Sequence, residues 1–163
     1  MSVKKIMLLL SLCVAVFVAF VVGYSVRAAD SGKGELKSQI VRWDDAKANV
    51  ADWGEMRRYF TGKTRATKNV LVAVARIQPG KTVHKAHRHA EEEYLVIAEG
   101  AGTWTLDGKK SPATRGDILY VEPWVYHGVT NTSEEPLIFL VFRYNGRGVA
   151  TPPKPDDRPD ELP

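Results

Sequence analysis

Cysteine is almost missing from this 163-residue chain: the single one is Cys13, inside an apolar run near the N-terminus. The chain beyond residue 28 is therefore free of thiols, which excludes disulfide bridges, thiolate metal sites and a cysteine nucleophile there. Helical periodicity is also scarce. No stretch after residue 60 repeats apolar residues at the three-and-four spacing of an amphipathic helix. Acidic residues are missing from the first 28 positions, which hold Lys4, Lys5 and Arg27. With these set aside, 20 basic residues face 19 acidic ones. The positive charge of the whole chain is mostly N-terminal, and what remains makes no case for nucleic acid as a partner.

What the N-terminus does have is order. Two lysines precede the apolar run Ile6–Val22, and small residues close the segment at Ala28 and Ala29. Charge, apolar centre and small residues in that sequence predict a signal peptide over 1–28, cut near Ala28. The mature protein is then expected to be secreted or periplasmic, with no membrane contact after cleavage. The alternative is an uncleaved anchor, since the 21 uncharged residues from Ile6 to Val26 are long enough to span a bilayer. Residues 29–40 are polar and read as a linker. Residues 151–163 carry five prolines in 13 positions, which bars helix and inner strand and predicts an extended, disordered tail.

Between these ends, over 41–150, short strands recur about every ten residues, the spacing of an all-β sandwich or barrel. Expected strands are Val70–Ile77, Glu93–Ala98, Thr103–Leu106, Asp117–Val121, His127–Thr130 and Leu137–Tyr144, with Asp107-Gly108 as a two-residue hairpin turn. Asp44–Val50 has room for one helical turn, and Trp53, Met56 and Tyr59 are candidates to pack on the barrel.

The chemistry-bearing residues cluster. Histidines stand at 84, 87, 89 and 127, and Glu93 follows the first three closely. Side chains two apart on a strand share a face, so His87 and His89 can grip one ion. Six extended residues span about 20 Å, whereas bonds to a metal ion are about 2 Å. Glu93 therefore joins them only if the chain turns at Ala90-Glu91-Glu92 and a returning strand begins there. Leu95 and Ile97 then face inward with Glu93, while Tyr94 and Val96 face outward. His127 is the fourth candidate, at the entry to a later strand.

Other residues carry blander readings. His84, between Lys81 and Lys85, is expected as an exposed loop histidine, with a proton-shuttle role as the alternative. Glu91 and Glu92 read as solvated charges of a turn. Trp104 is a core residue, and Trp124 and Tyr126 either pack under the His127 turn or line a mouth. Arg76 and Arg143 stand in apolar strands; the surface is the first expectation for both, and binding of an anion inside the barrel the second. The glycines at 100, 102, 108 and 116 read as turn residues, and Asn131 as a stabiliser of its own turn.

Two blocks of this sequence resemble the paired motifs of the cupin superfamily. The first runs Gly80, His87-Arg-His89, Glu93, Gly100; the second runs Gly116, Pro123, His127, Asn131. Six residues instead of five separate Gly80 from His87, the proline is displaced by one, and Trp124 stands where glycine is usual. The ligand spacings are intact. The resemblance, over residues 70–145, implies a single double-stranded β-helix (jelly-roll) barrel holding one divalent transition metal on His87, His89, Glu93 and His127. Three imidazoles and one carboxylate suit Fe, Mn, Ni, Co, Cu or Zn. It further implies a small-molecule substrate or ligand, a dioxygenase-like oxidoreductase in which Glu93 also serves as a catalytic base, and a homodimer. A metal-dependent isomerase or lyase, and a non-catalytic binding module, are the alternatives.

Overall fold

The computed structural model describes residues 34–162; the expected signal peptide or anchor lies outside them. The described residues form nine strands: β1 (Ala48–Ala51), β2 (Gly54–Gly62), β3 (Thr67–Ile77), β4 (Glu92–Glu99), β5 (Ala101–Leu106), β6 (Lys109–Thr114), β7 (Ile118–Val121), β8 (His127–Thr130) and β9 (Leu137–Gly146). They make a six-stranded sheet in the order β1-β2-β3-β9-β4-β7 and a three-stranded sheet in the order β6-β5-β8. The strand pairs are antiparallel. This is the all-β jelly-roll expected from the sequence.

Alternation along the strands builds the core. β3 turns Ala73, Ala75 and Ile77 inward, β4 Leu95 and Ile97, and β9 Leu137, Phe139 and Val141, all buried. Trp104, Ala113 and Val129 meet them from the smaller sheet. The opposite face of the larger sheet carries a cross-strand row, Phe60–Val72–Phe142–Tyr94–Tyr120, read from successive pairings. Tyr94 therefore points outward as its position in the alternation requires.

The hairpin between β5 and β6 turns at Asp107 and Gly108 with φ of 46° and 78°, the left-handed pair that a two-residue turn needs. Gly102, by contrast, is no turn residue. It lies within β5, and a β-carbon there would land on the Thr130 carbonyl oxygen and 2.8 Å from Leu137 Cδ1. Its role is close approach of two backbones. Gly102→Ala is expected to cost about 3 kcal/mol through overpacking, read as a fall in the denaturant midpoint; an unchanged midpoint would refute that role.

The N-terminal part of the domain departs from expectation. A single hydrogen-bonded turn forms at Arg42–Ala46 (Ala46 N–H to Arg42 O, 3.1 Å), but Ala48–Val50 already belongs to β1. Trp53 and Met56 pack on the core as expected. Tyr59 does not, because a bulge between Arg58 and Phe60 removes it from the inward series. β6 went unexpected in the sequence because it contains Pro112. It is tolerated there because β6 is a sheet edge. In the stretch read as linker, Leu36 N–H bonds Lys63 O at 2.7 Å and Glu35 pairs with Arg147 at 2.9 Å.

The proline-rich tail is extended, but it lies against the barrel instead of standing free. Trp124 Nε1–H donates to Pro152 O at 3.0 Å, and the Tyr126 hydroxyl donates to Pro159 O. Arg88 N–H donates to Asp160 O at 3.0 Å and Leu162 N–H to Ala86 O at 2.9 Å. The end of the tail thus forms a single antiparallel bridge, Glu161 to His87, beside the segment that carries His87 and His89.

Candidate metal centre

Three chain segments converge inside the barrel. Residues 86–89 approach β8, where His87 and His127 exchange backbone hydrogen bonds of 3.1 and 2.9 Å. The chain bends at Ala90–Glu91 and β4 begins at Glu92. The bend brings Glu93 back to the histidines, as a shared ion demands of the sequence, although β4 pairs with β7 and β9 and not with the His87–His89 segment. Glu93 is buried, as are Leu95 and Ile97 on the same face. The ring nitrogens of His87, His89 and His127 include one donor each, all within 4.8 Å of one another. Glu93 completes the ring: Oε2 lies 3.1 Å from His89 Nε2 and Oε1 lies 3.5 Å from His127 Nε2.

The backbone fixes which nitrogens face the centre. His127 Nδ1 is 2.9 Å from Val125 O, and His89 Nδ1 is 3.1 Å from Glu91 O. A carbonyl only accepts, so each Nδ1 carries a hydrogen, and Nε2 is the nitrogen that each ring turns toward Glu93. His127 Nε2 is buried without a hydrogen-bond partner, and so is His87 Nδ1. Burial first, then the neighbouring His84, His127 and His89, drives the His87 pKa down to about 3, so this imidazole stays neutral. Burial pushes the Glu93 carboxyl up, but His127 and His89, which attract the carboxylate once their Nε2 atoms carry a proton, outweigh it and bring the group to about 2. A carboxylate facing three imidazoles, with orphaned buried nitrogens among them, is the donor set of a divalent transition ion. The residues fit the metal.

Beside this ring is a cavity of about 490 Å³ including its open mouth. Leu95, Phe139 and Val141 give it an apolar wall, with His87, Glu93 and His127 on its polar side. His84 is exposed, as expected, yet its ring centroid is 4.1 Å from that of His87 and it borders the cavity. Glu91 is more than a solvated charge: its carbonyl orients His89, and its carboxylate lies 3.4 Å from His89 Nδ1. Glu92 faces away and pairs with Tyr144, whose hydroxyl it raises to about 12.

The turn before His127 keeps a glycine-like backbone despite its sequence. Trp124 has φ 67° and donates its N–H to His89 O at 2.7 Å, at a strain cost of about 1–3 kcal/mol. Tyr126 is fully buried beneath the turn. Asn131 is buried and satisfied, donating to Ile77 O and Glu135 O and accepting from Ser133. It staples its turn, as expected.

Two functional candidates were missed or misplaced in the sequence. Arg76 is exposed as expected, but Arg143 is not a surface residue: it pairs directly across from Glu93 and borders the cavity. Arg88, between two ligand candidates, was passed over. Its side chain is fully buried, on the far side from the histidine centre and under the tail.

Comparison with known proteins agrees with this geometry. Residues 73–143 match the cupin domain family. Over 82 residues the chain is 33% identical to a gentisate 1,2-dioxygenase from Streptomyces, covering 50% of this chain and 23% of that protein. The chain thus spans about a quarter of the length of such relatives. It is 28% identical to the oxalate-binding protein of Thermotoga maritima, over 53% of this chain and 71% of the other. An RmlC-like cupin from Shewanella frigidimarina shares the fold, with a TM-score of 0.56, 16% identity, and 69% and 95% of the two chains covered. Motif, barrel and inward-facing histidines agree with that match, and residues 73–143 form a cupin domain.

Proposed function

We propose that this protein is a metal-dependent oxidoreductase of dioxygenase type acting on a small organic molecule, with the ion held by His87, His89, Glu93 and His127. The observation that carries this reading is the ring of three imidazoles around a buried carboxylate, open on one side to an apolar-walled cavity. A divalent redox ion bound there supplies a site at which an organic oxygen donor and O₂ are activated together. The chain's own residues do the rest. The carbonyls of Val125 and Glu91 hold His127 and His89 in the tautomer that presents Nε2. Leu95, Phe139 and Val141 exclude water from the flank of the site. Glu93, buried on the polar side of the cavity, is the carboxylate that would take a proton from a bound substrate. The likeness to a protein named a gentisate dioxygenase supports the reading.

The test is elemental analysis of the purified protein, followed by oxygen uptake with catechol, flavonol and diketone substrates after loading with Fe, Mn, Ni, Co or Cu. Uptake with at least one pairing, lost in His87→Ala together with the metal, is expected. Metal bound at one equivalent without uptake across the panel overturns the oxidoreductase. If a ligand is then recovered unchanged, the protein is a binding module, which the likeness to an oxalate-binding protein favours. Turnover without O₂ assigns an isomerase or lyase.

A further inference from the structure

The inward-facing arginine has no place in the metal centre. β9 sends Leu137, Phe139 and Val141 into the core, and the next inward position is Arg143. Its cross-strand neighbours on that face are Leu71 of β3 and Glu93 of β4. It is half-buried and borders both the metal-side cavity and a hollow at the barrel rim shared with Arg58 and Glu91. The carboxylates nearby are engaged elsewhere: Glu93 with His89 and His127, Glu91 with His89. Among the described residues no carboxylate lies within ion-pairing distance of Arg143.

A guanidinium at the edge of an apolar barrel loses hydration, and this loss is offset only when an anion pairs with it. The local charge also asks for one. A divalent ion, one carboxylate and one guanidinium leave the cavity with two net positive charges. The planar fork of arginine matches the two oxygens of a carboxylate. Phosphate, with more charge and more acceptors, calls for further donors than the apolar wall beside Arg143 in the metal-side cavity provides. The apolar wall of Leu95, Phe139 and Val141 then receives the rest of the molecule.

We propose that Arg143 is the anchor of a small carboxylic acid, so that this cavity takes substrates or ligands bearing a carboxylate and an apolar body. This rests on the metal-centre reading only for part of the positive charge; the register and the unpaired guanidinium stand without it.

Fluorine NMR on zinc-loaded protein tests the assignment with two acid and amide pairs: trifluoroacetate with trifluoroacetamide, and 4-fluorobenzoate with 4-fluorobenzamide. The native protein is expected to bind at least one acid tenfold or more tighter than its amide. Arg143→Met should lose that preference, Arg143→Lys should keep part of it, and Arg76→Met, at an exposed arginine of the neighbouring strand, should keep all of it. Circular dichroism establishes that each variant is folded; if Arg143→Met is not, Arg143→Gln takes its place. Absence of any acid preference, its persistence without Arg143, or displacement of both acids by inorganic phosphate more readily than by acetate overturns the proposal. Zinc content measured on the same samples separates the two readings. Zinc uptake without acid preference sinks the anchor and leaves the metal centre. Arg143-dependent acid binding without zinc uptake does the reverse.

Discussion

Arg88→Met is expected to lower the stability of this protein by about 3 kcal/mol and its zinc affinity about tenfold. Alternation places Arg88 on the opposite side of the strand from His87 and His89, so its side chain leaves the metal centre and enters the tail. There it donates to Pro155 O at 3.0 Å, to Arg158 O and to Asp157 Oδ1 at 3.1 Å, with its guanidinium carbon 5.3 Å from the Tyr126 ring centroid. Hydrogen bonds from a charged donor contribute about 1.5–3 kcal/mol each. Asp157 is exposed and adds little, because water screens it. The two carbonyls and the buried stem set the estimate. A loss of that size in a domain of this length shifts the melting temperature by roughly 10 °C. The affinity change has a geometric cause. Residues 86–89 lie between β8 on one edge and the tail on the other, through Arg88 N–H to Asp160 O and Leu162 N–H to Ala86 O. Freeing one edge loosens both ligand side chains, and supports of this kind are worth about 10–100-fold in metal affinity. Deleting residues 152–163 should reproduce both effects. Thermal melts and zinc titration of the two variants provide the check; melting within 2 °C of native, at unchanged affinity, would mean that the tail supports nothing.

The same residue marks where sequence reading stops. The barrel was legible because strand length and turn chemistry are local: Asp107-Gly108 turns where its backbone preferences demand, and β8 runs over the expected residues. The convergence of His87, His89 and Glu93 was legible because bond lengths left the chain a single way to bring them together. Three things were not local. The tail's prolines exclude helix, but the same composition fits a free chain and a chain laid against a buried arginine. Pro112 argues against a strand unless one knows that the strand is an edge. Arg143 sits in Leu-Ile-Phe-Leu-Val-Phe-Arg, where both faces are apolar and alternation cannot choose between them. Only the pairing with Glu93 decides that it points inward. Local chemistry thus names the candidate ligands, while register and long-range docking decide which charges surround them.

Glu93→Gln separates the demands of the metal from those of the fold, because the two are expected to respond with opposite sign. In the metal-free protein at pH 8, His89 and His127 give their Nδ1 hydrogens to Glu91 O and Val125 O. Their Nε2 lone pairs then face the Glu93 oxygens at 3.1 and 3.5 Å. Lone pair meets lone pair unless a cation or an added proton stands between, and burial removes the water that would otherwise mediate. A carboxamide of the same shape places an N–H donor there. It also removes a buried charge, so metal-free Glu93→Gln should be about 1–2 kcal/mol more stable than metal-free native protein. Metal reverses the order. A ligand that binds only the folded state adds about 4 kcal/mol at a thousandfold excess over its dissociation constant. The neutral amide is the poorer donor, so most of that increment should vanish in the variant. Urea unfolding at pH 8, with chelator and then with excess zinc, gives four free energies. Native protein should gain several kcal/mol from zinc and the variant about one or less. A variant that is less stable than native in chelator, or that gains as much from zinc, would show that Glu93 serves the barrel instead of an ion.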